Sequence, residues 1–211
     1  MAEIEYFYAA HSAFAYLGSA RLMQIADNAG RNIAHRPMDL NRVIAAVGAT
    51  PFKDRETKHR AYYFRREIER WAEHRNLPVM PTRPTHHRKD ITLANCMLIA
   101  AIAQGQNVDR LANEMLSRHW EQDADLSDSE TLSAIAQAVD VEPAPLLEAT
   151  DSAVVRAAYE ANTQEAIDRS VFGSPTYFVD GDMFYGQDRL DLVERALKKP
   201  YGGTWPKSSA D

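Results

Sequence analysis

A single cysteine, Cys96, stands in 211 residues. An internal disulfide is therefore impossible, and so are a Cys-x-x-Cys redox pair and a zinc site built on paired thiolates; no metal site is expected. Basic residues are outnumbered, 24 against 30 acids, giving a net charge of −6 and a pI near 5.7. No run of Lys and Arg is long enough to follow a phosphate backbone, which argues against nucleic acid as a partner. The most basic stretch, Arg83 to Lys89, also holds Thr85, His86 and His87 and reads as a solvated loop. No apolar run approaches the roughly 18 residues that a membrane span needs. The N-terminus carries Glu3 and Glu5 where a signal peptide would be basic, so a cytoplasmic location is expected, with no membrane partner. What is present, 45% hydrophobic and 26% charged residues, suffices for a sizeable core in one large domain or one domain carrying an insertion.

Ile4 to Tyr8 reads as a short aromatic-rich strand, the first and central one of a sheet. From Ala13 the apolar positions Phe14, Leu17, Met23 and Ile25, closed by Gly30, predict a helix of about 16 residues, with Ser12 at or next to its N-cap. Two roles for Ser12 follow. As a cap its hydroxyl satisfies an orphan N–H of the first turn, worth roughly 1 kcal/mol. As a site residue it stands where a strand delivers a side chain to the positive end of a helix, which favours an anion such as a thiolate. Asn32 to Met38 gives a second strand, and Asp39 to Val47 a short helical or irregular connection. A charged helix from Lys53 to Arg75 follows, carrying Tyr62, Tyr63, Ile68 and Trp71. Three or four more helices run to about Thr150, of which Ile91 to Gln104 is the most apolar and Ser127 to Glu130 opens another. Asp151 to Arg169 is read as an amphipathic helix with Val154, Val155, Ala158, Ala161, Ala166 and Ile167 on its apolar side.

The stretch Val171 to Leu190 carries the most information. A Gly173-Ser174-Pro175 turn leads into the β-branched and aromatic run Thr176 to Val179. Asp180-Gly181 is a strong hairpin signal, and Met183 to Tyr185 returns as a second strand. After Gly186 the chain turns helical, with Asp188 placed to cap and Leu190, Leu192, Val193 and Leu197 apolar. Read locally, this is either an ordinary hairpin whose proline starts an edge strand or the C-terminal half of a thioredoxin fold, in which the residue before the proline is in a cis peptide. In the tail from 201 to 211, Trp205 is the residue best suited to dock.

The whole order, βαβ, a helical insertion, then αββα with a proline before the third strand, resembles the DsbA-like branch of the thioredoxin superfamily. Within that branch the chain resembles 2-hydroxychromene-2-carboxylate isomerases and the related kappa-class glutathione transferases. The resemblance is carried by Phe172-Gly173-Ser174-Pro175-Thr176, by Val179 to Leu190, by Ser12-Ala13-Phe14-Ala15-Tyr16-Leu17 and by the helix Tyr63 to Trp71. It implies an α/β, thioredoxin-like fold with an inserted all-helical domain: residues 1–50 and 151–200 form the discontinuous thioredoxin-like domain, 51–150 the insertion and 201–211 a tail.

The resemblance also implies a site. Ser12 and Ala15 occupy the two cysteine positions of the disulfide oxidoreductases, so thiol–disulfide exchange by the protein itself is unavailable. A hydroxyl at Ser12 can instead hold the sulfur of bound glutathione, the implied cofactor. The backbone of Ser174, before Pro175, is assigned to the cysteinyl part of glutathione, and Gln187 with Asp188 to its γ-glutamyl end. Arg60, Tyr63, Glu67 and Arg70 fit the family's pattern on the first insertion helix. Arg60 faces either the glycine carboxylate or the substrate carboxylate, or it is a solvated helix arginine. Tyr63, Asn95 and His11 are assigned to the substrate side, and Cys96 reads as a small core residue. The chain departs from the family at its N-terminal motif, where Ser-Pro-x-Ser is usual and Ser12-Ala13-Phe14-Ala15 stands here, preceded by His11.

The implied activity is glutathione-dependent isomerisation of a 2-hydroxychromene-2-carboxylate-type intermediate of aromatic-compound degradation, by a homodimer acting on a small aromatic or chromene carboxylate. A kappa-like glutathione transferase or peroxidase is the enzymatic alternative. A non-catalytic DsbA-like binding protein is the alternative of another class.

Overall fold

In the computed structural model, residues 3–50 and 54–203 are described; Trp205 lies outside them. Strand β1 (Ile4–Tyr8) is apolar or aromatic at every position but Glu5, and a strand of that composition needs cover on both faces. It lies between two partners. β2 (Ile33–Pro37) runs parallel to it, with Tyr6 opposite His35, and β3 (Thr176–Val179) antiparallel, with Tyr6 opposite Tyr177. β4 (Asp182–Tyr185) closes the sheet in the order β2-β1-β3-β4. Asp180 and Gly181 at the β3–β4 turn have φ of 50° and 88°, the pair of positive values that a tight primed hairpin demands.

The alternation of β1 sorts its side chains into two cores. Ile4, Tyr6 and Tyr8 face the larger one, with Tyr177 and Val179 of β3; Tyr6 stacks on Tyr8 at 4.1 Å and on Tyr177 at 5.4 Å. Phe7 and Phe178 face the other, with Met38, Val43, Ala166 and Val171. Helix α1 (Ala13–Ala29), ended by Gly30 at φ 61°, packs on the first face. α2 (Leu40–Ala46) and α9 (Ala153–Asp168) pack against each other beside the second.

Between β2 and α9 the chain is helical. α3 (Thr57–Ala61) and α4 (Glu67–Arg75) are joined through a π-helical turn, Tyr62–Arg66. Four further helices follow: α5 (Thr92–Ala103), α6 (Val108–Gln122), α7 (Ser129–Gln137) and α8 (Pro143–Ala149). α5 is the hub, with an unbroken buried run from Ala94 to Ala101; a helix apolar all round belongs in an interior. A polar relay ties this block to the sheet: the Tyr8 hydroxyl meets His35 Nδ1 at 2.9 Å, and His35 Nε2 meets Asp109 of α6 at 2.6 Å.

Two readings of the sequence are corrected. On α9, Val154 is 73% exposed and Ala161 faces solvent. The covered face is Val155, Asn162, Thr163 and Ala166, because Asn162 donates to the Pro37 carbonyl and Thr163 Oγ1 accepts from Asp39 N–H. Hydrogen bonds to the end of β2, invisible to an apolar count, set that helix's rotation. At the C-terminus, Asp188 is not a cap: it sits inside a 3₁₀ turn, Gln187–Arg189, before α10 (Leu190–Lys198), and makes no capping hydrogen bond.

Candidate active site

Tyr8 ends β1, and the loop Ala9-Ala10-His11 carries the chain to α1. Asn95 holds that loop: its Oδ1 accepts from Ala10 N–H at 3.0 Å, while its Nδ2 donates to the Met38 carbonyl and the Tyr159 hydroxyl, both at 3.3 Å. Asn95 is 0% exposed and spends its amide on these bonds, so the expected place on the substrate side is replaced by a role in positioning the loop.

Ser12 is the N-cap of α1, its Oγ accepting from Ala15 N–H at 3.3 Å. The same hydroxyl donates to the carbonyl of Ser174 at 3.1 Å, and Ala9 N–H donates to Ser174 Oγ at 3.1 Å. The Ser174–Pro175 peptide is cis. Capping and facing the proline loop, alternatives in the sequence, are thus held by one hydroxyl at once. The arrangement is a small polar locus at the positive end of a 17-residue helix, with a backbone carbonyl and two hydroxyls in reach and no protein thiol. Cys96, on α5, is 0% exposed and its thiol is pushed up by burial.

Gln187 and Asp188 start the last helical segment, near this locus in the fold but with different outlooks. Gln187 is 2% exposed and lies against α1, its Cβ next to Gly18, with Oε1 buried and unpartnered; Arg75 donates to its carbonyl at 3.1 Å. Asp188 is partly exposed, paired with Arg189 at 3.1 Å, and folded back so closely on Gly186, at φ 102°, that a Cβ there would collide with Oδ1.

Aromatic side chains surround the locus. Phe14, in the first turn of α1, leans on Tyr63 at 5.1 Å, and Tyr63 hydrogen-bonds Tyr185 of β4; burial and that bond push the Tyr63 hydroxyl up to about 12. Phe172 lies 5.8 Å from Tyr185, whose hydroxyl closes on Gly173. Phe172, Tyr185 and Tyr63 remain 47%, 42% and 41% exposed. Large apolar groups left open around a polar centre mark a binding surface. The π-helical turn, one extra residue per turn, is what carries Tyr63 at this point of the insertion.

On the other side of Ser12 are histidines. The His11 ring lies 4.7 Å from that of His87, and His87 Nδ1 meets His119 Nε2 at 3.0 Å. His119 Nδ1 faces the Ala124 carbonyl at 2.9 Å and must donate to it, so its Nε2 accepts and His87 Nδ1 carries the proton. Burial pushes His11 down to about 3 and His87 to about 2, which keeps the chain neutral. His11 Nδ1 is buried without a partner. The stretch from Arg83 to Lys89 is exposed at Arg83, Thr85, Arg88 and Lys89, as a solvated loop is expected to be, but its half-buried His87 turns inward and meets His11 and His119. Of the remaining sequence-derived candidates, Arg60 is half-buried and donates to Thr57 Oγ1 at 3.3 Å. Phe172, Tyr185 and His87 are visible in the sequence but not assignable to a site from it, since an aromatic beside a turn or a histidine in a basic loop carries no periodic signal.

A hydroxyl-bearing helix N-terminus opposite a cis-proline loop, on a four-stranded sheet interrupted by helices, defines a thioredoxin-superfamily protein without its thiols. The chain belongs to the family of the DSBA-like thioredoxin domain, whose model matches residues 3–198. Among its relatives, the 2-hydroxychromene-2-carboxylate isomerase of Sphingobium xenophagum is 29% identical over 92% of this chain and 97% of that protein. Glutathione S-transferase kappa 1 of Rattus norvegicus is 23% identical over 96% and 94%. A solved structure of a 2-hydroxychromene-2-carboxylate isomerase superposes with a TM-score of 0.80 at 24% identity, covering 92% of this chain and 94% of that one.

Proposed function

We propose that the protein is a glutathione-dependent isomerase of the 2-hydroxychromene-2-carboxylate type. The observation that carries this reading is the Ser12 hydroxyl, donating at 3.1 Å to Ser174 beside the cis proline, in a chain whose one cysteine is buried. The site's donors and acceptors fit a small thiol peptide. Ser12 and the α1 N-terminus offer hydrogen bonds to a thiolate, and the Ser174 carbonyl is the acceptor for an amide. The buried, unpartnered Oε1 of Gln187 and the carboxylate of Asp188 are polar atoms suited to its γ-glutamyl end. The relatives named as isomerase and as glutathione transferase support the same chemistry for this chain.

Glutathione supplies the nucleophilic sulfur, which adds to a conjugated double bond, makes it rotatable and departs. Within that scheme Ser12 exchanges its partner, releasing the Ser174 carbonyl and directing its hydrogen to the sulfur. Helix α1 adds its dipole, and the two together favour the thiolate over the thiol. Phe14, Tyr63, Phe172 and Tyr185 offer faces to a planar ring and shed water from it. Tyr63, its hydroxyl pushed up to about 12, stays protonated at neutral pH, and the hydroxyls of Tyr63 and Tyr185 are hydrogen-bond donors for a keto or phenol oxygen. His11 and His87, held neutral, do not compete with Ser12 as a counter-charge. Cytoplasmic location and a homodimeric state belong to the same reading.

The test is turnover of 2-hydroxychromene-2-carboxylate by the purified protein with and without glutathione, alongside a generic chlorinated aromatic acceptor. Isomerisation that needs glutathione, with no conjugation of the acceptor, is expected. Conjugation alone would make the protein a transferase, and absence of glutathione binding would leave a DsbA-like binding protein.

A further inference from the structure

Arg75 is the last residue of α4, the helix that also carries Trp71. Its guanidinium lies 5.2 Å from the Trp71 ring and donates through Nη2 to the carbonyl of Gln187, 112 residues further along the chain, at 3.1 Å. The residue is half-buried, and its Nε is buried without a partner. The carboxylates nearby are paired with other arginines, Asp188 with Arg189 at 3.1 Å and Asp191 with Arg21 at 3.5 Å. Burial accordingly holds the Arg75 guanidinium below its ordinary range. A cation is taken partly out of water and bonded to a neutral carbonyl, an arrangement in which the desolvation is not offset by an ion pair among the described residues.

The carbonyl that Arg75 holds belongs to the peptide joining Gln187 to Asp188. A peptide is planar, so fixing its oxygen fixes the plane on which both residues hang. The same oxygen accepts from Leu190 N–H and so closes the 3₁₀ turn. From α1, Gly18 approaches so nearly that a Cβ on the glycine would stand 2.8 Å from Gln187 Cβ. Two contacts therefore set this segment, one from α1 and one from α4. Packing at Gly18 limits how deep Gln187 sits, whereas the directional bond to its carbonyl sets how the peptide is turned. Gln187 is 2% exposed and keeps Oε1 without a partner, so the turn of this peptide governs what that oxygen can meet.

We propose that Arg75 is a positioning residue for the γ-glutamyl end of glutathione: by holding the Gln187 carbonyl it sets Gln187 and Asp188 in the orientation that receives that group. It acts on the cofactor's affinity through this one peptide and not on the sulfur. The inference rests on the glutathione-dependent reading and on the place that reading gives Gln187 and Asp188.

The test compares glutathione with N-acetylcysteinylglycine, which keeps the thiol and the amide but lacks the glutamyl group, each titrated calorimetrically into the full-length wild type, Arg75→Met and Arg75→Lys. Arg75→Met is expected to bind glutathione about 10- to 100-fold more weakly, the range of one charge-assisted hydrogen bond, and to bind the acetyl peptide as tightly as the wild type does. Arg75→Lys, which keeps stem and charge but not the fork, should fall between. Hydrogen exchange reads the cause without any ligand: the Leu190 amide, bonded to the same carbonyl, should exchange faster in Arg75→Met, while amides in the middle of α1 keep their protection. The proposal is overturned if folded Arg75→Met binds glutathione as tightly as the wild type, if its loss falls equally on both peptides, or if the Leu190 amide is unchanged. Should Arg75→Met not fold, the same comparison is made with Arg75→Lys, where an equal loss on both peptides, or none, overturns it. A wild type that binds both peptides equally overturns this inference and leaves the glutathione reading standing, whereas a wild type that binds neither removes both.

Discussion

The hydroxyl of Ser12 donates to the carbonyl of Ser174, 162 residues further along the chain, at 3.1 Å. One short side chain therefore caps a helix, ties that helix to the loop before β3 and presents an exchangeable hydrogen beside the cis proline. Removing it separates these roles.

Ser12→Ala is expected to raise the pKa of glutathione's bound thiol by about one to two units, since one charge-assisted hydrogen bond is worth roughly 1.5–3 kcal/mol. The rate at neutral pH falls with it, whereas glutathione affinity changes much less, because Ser174, Gln187 and Asp188 are untouched. Thiolate absorbance in the ultraviolet, titrated with pH, reads the shift. Coincident curves for a folded variant would reduce Ser12 to a cap worth about 1 kcal/mol of stability.

No insulin-disulfide reductase or oxidase activity is expected, because Ser12 and Ala15 hold the exchanging positions and Cys96 is fully buried. Cys96→Ser should retain isomerase activity, and a thiol reagent should label the native protein only on the timescale of unfolding. Rapid labelling without denaturant would show that Cys96 is accessible.

Asn95→Leu removes three hydrogen bonds at once. Ala10 N–H and the Met38 carbonyl lose this partner in the interior, at about 1–3 kcal/mol for each buried group, and the Tyr159 hydroxyl loses a donor. Urea denaturation should show a lower midpoint, and the loop that bears His11 and Ser12 should lose its setting, lowering kcat more than the affinity for glutathione. An unchanged midpoint would mean that water or a backbone shift satisfies both groups.

The histidine wall makes stability depend on pH. His11, His87 and His119 titrate lower in the native state than in the unfolded chain, His11 at about 3 and His87 at about 2. The unfolded chain therefore binds more protons than the native one below about 6.5. Stability is complete above that value and is lost progressively as pH falls through the window toward 3. His87→Gln should flatten the fall in urea midpoint between about pH 6.5 and pH 4. An unaltered slope would place the acid sensitivity on other groups.

Gly18 has a test independent of catalysis. A methyl there would stand 2.8 Å from Gln187 Cβ and 3.0 Å from the Tyr177 hydroxyl, so Gly18→Ala should cost about 1–3 kcal/mol by overpacking, despite alanine's better helix propensity. A stabilised variant in thermal unfolding would contradict the close approach of α1 to the last helical segment.

The sequence by itself determined the strands and most helices, because their signals are local: an aromatic run at β1, the Asp180-Gly181 pair, and serines, asparagines and glycines at helix ends. It also bounds the chemistry, since a single cysteine excludes an internal disulfide and a Cys-x-x-Cys pair; that Ser12 and Ala15 stand at the exchanging positions is what the family resemblance implies. Family resemblance supplied the pairing of Ser12 with Ser174. Only the tertiary structure decided which polar residues are spoken for. Asn95 and Gln187 carry the same kind of amide, yet one is satisfied within the core and the other keeps a buried oxygen unpartnered. The rotation of α9, the inward turn of Gln187 and the placing of His87 against His11 all depend on contacts between residues far apart in the chain. A basic loop reads as solvated because its charges are local; that its one inward histidine, His87, is half-buried against His11 and His119 follows from where α6 and β1 end in space, which no local pattern encodes.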